Sequence, residues 1–194
     1  VGKHIADIFP ADKIDFHLSK INKCTENQEV ITYEYVLKTD DVNKHYEARL
    51  APMGNNRVLS LVRDISTNKI NYETINRLSL AVKQSPVGVV VTNFNGDITF
   101  INPAFTEMTG YTFDEIMGKS TRILKSGKNP PEMYDDLWKT ITSGKVWKNE
   151  WINRKKNGDL YWQSVSVSPI LDENGEIINF LSIKQDKKKK KKDL

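Results

Sequence analysis

Cysteine is almost missing from this 194-residue chain: Cys24 stands alone, which excludes an internal disulfide and a thiolate metal cluster. It reads as a small core or surface thiol. Histidine is scarce as well. His4, His17 and His45 all fall in the first quarter, and no serine, cysteine or carboxylate has a motif that would set it beside one of them for nucleophilic catalysis. HExxH and CxxC spacings and glycine-rich phosphate loops are missing too. No apolar run approaches the roughly 18 residues that span a bilayer, and no signal-peptide pattern opens the sequence. These absences set the expectation of a non-catalytic, cytoplasmic fragment without membrane contact.

Net positive charge is confined to one end of the chain. The net charge is +4, but residues 187–194 carry six lysines and one aspartate, a local +5 that leaves the other residues at −1. No aromatic residue interleaves with that block to stack bases. It reads as a solvated tail or helix start, and nucleic-acid binding is not expected.

What the chain does have is an internal repeat. "GKHIADIF" from Gly2 is echoed by "GKSTRILK" from Gly118, and "EARLAPMGNNRVLSLVRDIS" parallels "SVSVSPILDENGEIINFLSIKQD". The offsets are 116 at the glycines, 117 from Pro52 to Pro169 and 122 from Asp64 to Asp186, so two related units follow one another.

Local signals are clearest in the second unit. Residues 87–92 form a β-branched run, and Asn95-Gly96 turns it into a second strand at 97–101. Asn102 caps a short helix with Pro103 at its first position. Thr112 and Glu115 make a capping box for another turn, closed by Gly118. A longer helix is expected over 130–143, capped by Asn129, with Met133, Leu137, Trp138 and Ile141 as its apolar stripe. Strands at 146–154, 159–170 and 176–185 complete the unit, hinged at Asn157-Gly158 and Asn174-Gly175. Helices inserted in an antiparallel sheet give an α+β domain with helices on one face.

Three stretches carry a resemblance. "AVKQSPVGVVVTNFNGDITFINPAFTEMTGY", "MYDDLWKTITSGKVWKNEWINRKKNGDLYWQSVSVSPI" and "LSIKQD" resemble, in that order, a complete PAS domain over residues 85–186. Residues 1–67 resemble only the later two thirds of such a domain. The resemblance implies a five-stranded antiparallel sheet with helices on one face, in two tandem units of which the first is incomplete. Lacking the two opening strands, the first unit is expected to expose residues 57–64 as an unpaired edge.

Residues 68–84 read as a helical linker. Ile75, Leu78 and Val82 follow a three-then-four spacing, while Glu73 and Arg77 can pair at i,i+4. Two readings stay open: a homodimer seam, or a stripe covering a neighbouring sheet. Residues 187–194 would begin a C-terminal signalling helix or tail. The resemblance implies a sensory module of a bacterial-type signalling protein, relaying a stimulus to an output domain of the histidine kinase or diguanylate cyclase type on the same polypeptide.

Cofactor expectations also come from the resemblance. The second unit is similar to the flavin-holding PAS domains of redox and aerotaxis sensors, which carries FAD-binding roles onto Trp138, Trp147 and Asn153. Strand alternation adds Gln163 on the inner face, and Ser182 is placed on the same wall. A tryptophan can wall in a flat ring, and an amide can both donate to and accept from its polar edge. Photochemical FMN needs a cysteine where this chain has Thr121. Haem members use a histidine on or near the long helix, which has none here; His17 lies in the corresponding helix of the first unit and reads as a surface residue. The alternatives to the relay reading are an FAD redox sensor and a ligand-free dimer adaptor.

Overall fold

The computed structural model describes residues 5–39 and 41–187, which fall into two compact units divided between Asn76 and Arg77. In the first unit, helix α1 (Ala11–Asn27) precedes an antiparallel three-stranded sheet of β1 (Ile31–Thr39), β2 (Val42–Pro52) and β3 (Val58–Asp64), in spatial order β1-β2-β3. Among the described residues β3 pairs only with β2, and Leu59, Leu61 and Val62 are exposed on it, as expected for an edge strand. His17 corrects one expectation. It is 1% exposed rather than on the surface, stacked on Phe9 with centroids 3.7 Å apart, and its Nδ1 lies 2.9 Å from the Tyr33 hydroxyl. α1 turns it onto the sheet, where burial and nearby Lys13 lower its pKa.

Helix α2 (Ser66–Lys83) follows, started by Asp64 Oδ1 accepting from Ser66 N at 2.9 Å. Ile75 and Leu78 of the expected stripe are 67% and 62% exposed, and Val82 is half-buried.

The second unit has the strand, strand, helices, strands order read from the sequence. β4 (Gly88–Asn93) and β5 (Ile98–Ile101) form the hairpin; α3 (Pro103–Thr109), α4 (Phe113–Ile116) and a 3-10 turn (Thr121–Leu124) lead to α5 (Pro131–Thr142). β6 (Trp147–Arg154), β7 (Leu160–Leu171) and β8 (Ile177–Asp186) complete an antiparallel sheet of order β5-β4-β8-β7-β6. β8 therefore lies in the middle, paired with β4 on one side and β7 on the other. It runs through Asp186, and residues 188–194, where the C-terminal helix is expected, lie outside the described residues.

Capping follows the sequence at two of three helices. Thr112 and Glu115 complete their box, and Asn102 Oδ1 accepts from Phe105 N at 3.1 Å. The exception is α5. Its N-cap is Pro130, because Pro130 and Pro131 hold the entering backbone extended and shift the start past Asn129. Asn129 instead serves the sheet edge: Oδ1 accepts from Ile152 N at 2.9 Å and Nδ2 donates to Ile152 O at 2.7 Å. Two apolar clusters fill the unit, one of Leu137, Ile141, Trp147, Trp151, Val165, Val167 and Phe180 under α5, the other of Val90, Ile98, Ile101, Phe105, Ile116 and Leu124.

Candidate functional site

Strand alternation turns a particular set of side chains towards α5. On β6 these are Trp147, Trp151 and Asn153; on β7, Tyr161, Gln163, Val165 and Val167; on β8, Phe180, Ser182 and Lys184. Between this face and α5 lies a cavity of about 210 Å³. Leu137, Trp138, Ile141, Trp151, Val167 and Phe180 give it apolar walls, and Thr92, Asn153, Ser182 and Lys184 are its buried polar groups. Exposed Arg122, Lys125 and Asp135 stand on its rim beside Thr121. Gly96, in the β4–β5 turn at φ +85°, lets Trp138 close one end: a Cβ there would meet the indole at 3.2 Å.

Of the residues expected from the sequence, Trp138, Asn153 and Ser182 meet at this cavity. Trp147 does not. Its indole N–H donates to Asp136 Oδ2 at 2.7 Å and its ring packs 5.2 Å from that of Trp151, which makes it a core residue joining β6 to α5. Gln163 is on the inner face as expected and fully buried, but it is not part of the cavity lining. Its Oε1 and Nε2, like Nε1 of Trp151, find no hydrogen-bond partner among the described residues. Native interiors rarely leave such groups unmet.

Lys184 is the residue that the sequence reading missed. It is 3% exposed, while its neighbour Ile183 is 43% exposed, the reverse of the usual arrangement for an aliphatic and a lysine. The signal was available, since alternation from Ser182 puts Lys184 on the same face. It lies between Gly88 on β4 and Val165 on β7, with Nζ 5.6 Å from the centre of the Trp151 ring. Burial alone lowers its pKa to about 8. The ion pairs found among the described residues all involve other lysines. Across β6 and β7, Tyr161 pairs with Asn153, and burial raises the pKa of its phenol far above the usual value. No cluster of three or more potential metal ligands occurs among the described residues, and no helix there is long and apolar enough to cross a membrane.

A central last strand, helices inserted after the second strand and a lined cavity beneath the long helix agree with the comparisons with known proteins. The family profile described as "PAS domain" matches residues 1–67 and 86–188. The chain belongs to the PAS domain family. Its PAS sequence is 31% identical over 105 residues to the nitrogen fixation regulatory protein of Klebsiella pneumoniae, covering 54% of this chain and 21% of that protein. It is also 32% identical over 93 residues to the aerotaxis receptor of Escherichia coli K12, covering 48% of this chain and 18% of the receptor. The chain thus spans about a fifth of the length of these relatives. The crystal structure of a PAS domain of a protein from Colwellia psychrerythraea superposes with a TM-score of 0.53 at 22% identity, covering 60% of this chain and 99% of that one, a likeness of fold. The PAS domain here is thus of the kind found in signalling proteins.

Proposed function

We propose that this chain is the sensory and dimerisation segment of a bacterial-type signal-transduction protein, itself without catalytic activity, in which the cavity of the second PAS unit reads a small molecule. The observation that carries this reading is the polar content of an otherwise apolar inner face: Asn153, Ser182 and Lys184 border open space rather than packed core. β8 suits a relay. It is the central strand, carries two of those three residues and leads directly into the segment after Asp186. A shift of β8 on binding would reach an output module, of the histidine kinase or diguanylate cyclase type, on the same polypeptide.

The test is occupancy linked to the last strand. Hydrogen exchange of residues 177–186 should slow when the cavity is filled, and unchanged exchange in a demonstrably liganded protein would remove β8 as the relay.

FAD is the second reading, favoured by Trp138 and Asn153 meeting in one cavity with Trp151 beside them. Trp138 and Trp151 would flank a flat ring, and Asn153 would answer its polar edge. Purified protein should then show the visible absorption of a flavin. Asn153→Leu should lose most of that absorption while keeping or raising its unfolding midpoint, because a buried amide is removed. A colourless wild type ends this reading.

Dimerisation through α2 belongs to the same proposal, and what supports it is that Ile75 and Leu78 stand exposed together with Ile70 and Leu80. Leu78→Asp should convert a dimer to a monomer in sedimentation without lowering the unfolding midpoint of the second unit, since the side chain is 62% exposed within its own chain. A wild type that sediments as a monomer, or a variant that sediments as wild type does, would take the seam away.

A further inference from the structure

Lys184 has no anionic partner among the described residues. An ammonium group withdrawn from water is costly unless an anion compensates it, and this one is 3% exposed, borders the cavity, lies over the Trp151 ring and makes none of the ion pairs found among the described residues. That ring contact offsets part of the cost. The remaining buried polar groups of the cavity, Thr92, Asn153 and Ser182, are neutral, and the other two cations, Arg122 and Lys125, stand exposed on the rim. The buried end therefore presents one positive charge with neutral hydrogen-bonding groups, and the walls are aromatic and aliphatic.

We infer that the cavity takes a small organic acid, with a flat or compact apolar body among Trp138, Trp151 and Phe180 and a single carboxylate set against Lys184. A carboxylate matches one buried ammonium charge for charge, whereas a phosphate dianion would leave a negative charge unmet at that depth. Asn153 can donate to the second carboxylate oxygen, and Thr92 and Ser182 add hydroxyl donors. This inference rests on the reading of the cavity as the ligand site.

All four tryptophans, at 138, 147, 151 and 162, lie in the second unit, and two of them line the cavity. Their fluorescence reports binding in the full chain. The probes are acetate, hexanoate and phenylacetate, each against its own amide, and phenyl phosphate as the phosphate arm. Wild type should bind the best carboxylate about tenfold or more tightly than its amide, and more tightly than phenyl phosphate. Lys184→Met should erase the preference for acid over amide, and Lys184→Arg should retain it. Equal binding of acid and amide by wild type, or a preference that survives Lys184→Met in a folded variant, overturns the charge assignment while leaving the cavity a ligand site. Preferred binding of phenyl phosphate, stoichiometric FAD in the purified protein, or no response to any probe overturns it as well; in the last case, native mass spectrometry of protein isolated without denaturation still tests separately whether the cavity holds a ligand.

Discussion

Replacing Asn102 with Ala should lower the stability of the second PAS unit by about 4 kcal/mol, and its unfolding midpoint by roughly 15 °C or more. The side chain is 1% exposed and uses its amide in full. Oδ1 accepts from Val89 N at 2.8 Å and from Phe105 N at 3.1 Å, while Nδ2 donates to Val82 O at 3.1 Å and Val87 O at 2.9 Å. Alanine leaves these four groups to water where it can enter and unpaired where it cannot, and each buried orphan costs about 1–3 kcal/mol. The position matters beyond stability. Asn102 ties the last turn of α2 to the edge of β4 and the start of α3, so it joins the linker helix to the sensing sheet. Tryptophan fluorescence during denaturation reads this unit alone. A loss below about 1 kcal/mol would mean that the four bonds do not form together.

Lys184→Met should act in the opposite direction and stabilise the ligand-free protein. The folded-state pKa is lowered from 10.5 to about 8, with burial as the cause. Between those values the unfolded chain binds more protons than the folded one, so stability rises with pH through that window and the whole cost is present below pH 8. A displacement of that size corresponds to about 3 kcal/mol at neutral pH. The charged groups facing the same cavity, Arg122, Lys125 and Asp135, lie at its exposed rim, where solvent screens them. Methionine keeps the stem and removes the charge. The variant should unfold at a higher temperature at pH 7, and the wild type should close the gap between about pH 8 and 10.5. A less stable variant at pH 7 would show that the ammonium already has compensation. Retaining a residue that costs stability is what a ligand site does.

Much of this architecture was legible in the sequence because its signals are local. Asn95-Gly96, Asn157-Gly158 and the Asn102-Pro103 start each act within four residues, and the period-two alternation of β7 put Gln163 on the buried face. Where the reading failed, a non-local competitor decided. Asn129 looked like a cap, yet Ile152 in a distant strand took its carboxamide. Trp147 shares the inner face with the cavity residues, but Asp136 of α5 draws its indole into the core. His17 reads as polar until α1 folds it against Phe9 and Tyr35. Lys184 escaped because lysine is seldom buried unpaired; its place follows from Ser182 two residues earlier, and the face outweighed the residue type.

Native mass spectrometry of protein isolated without denaturation tests the central claim most directly, namely that the cavity under α5 holds a small molecule through Asn153 and Lys184. The account predicts a wild-type species heavier than the chain by the mass of one small organic acid, or on the second reading of one FAD, reverting to the bare chain on denaturation, with the added mass lost in Asn153→Leu combined with Lys184→Met. The bare chain mass for the wild type even after incubation with the acids and flavin named above, or an added mass that persists in the double variant, would contradict it.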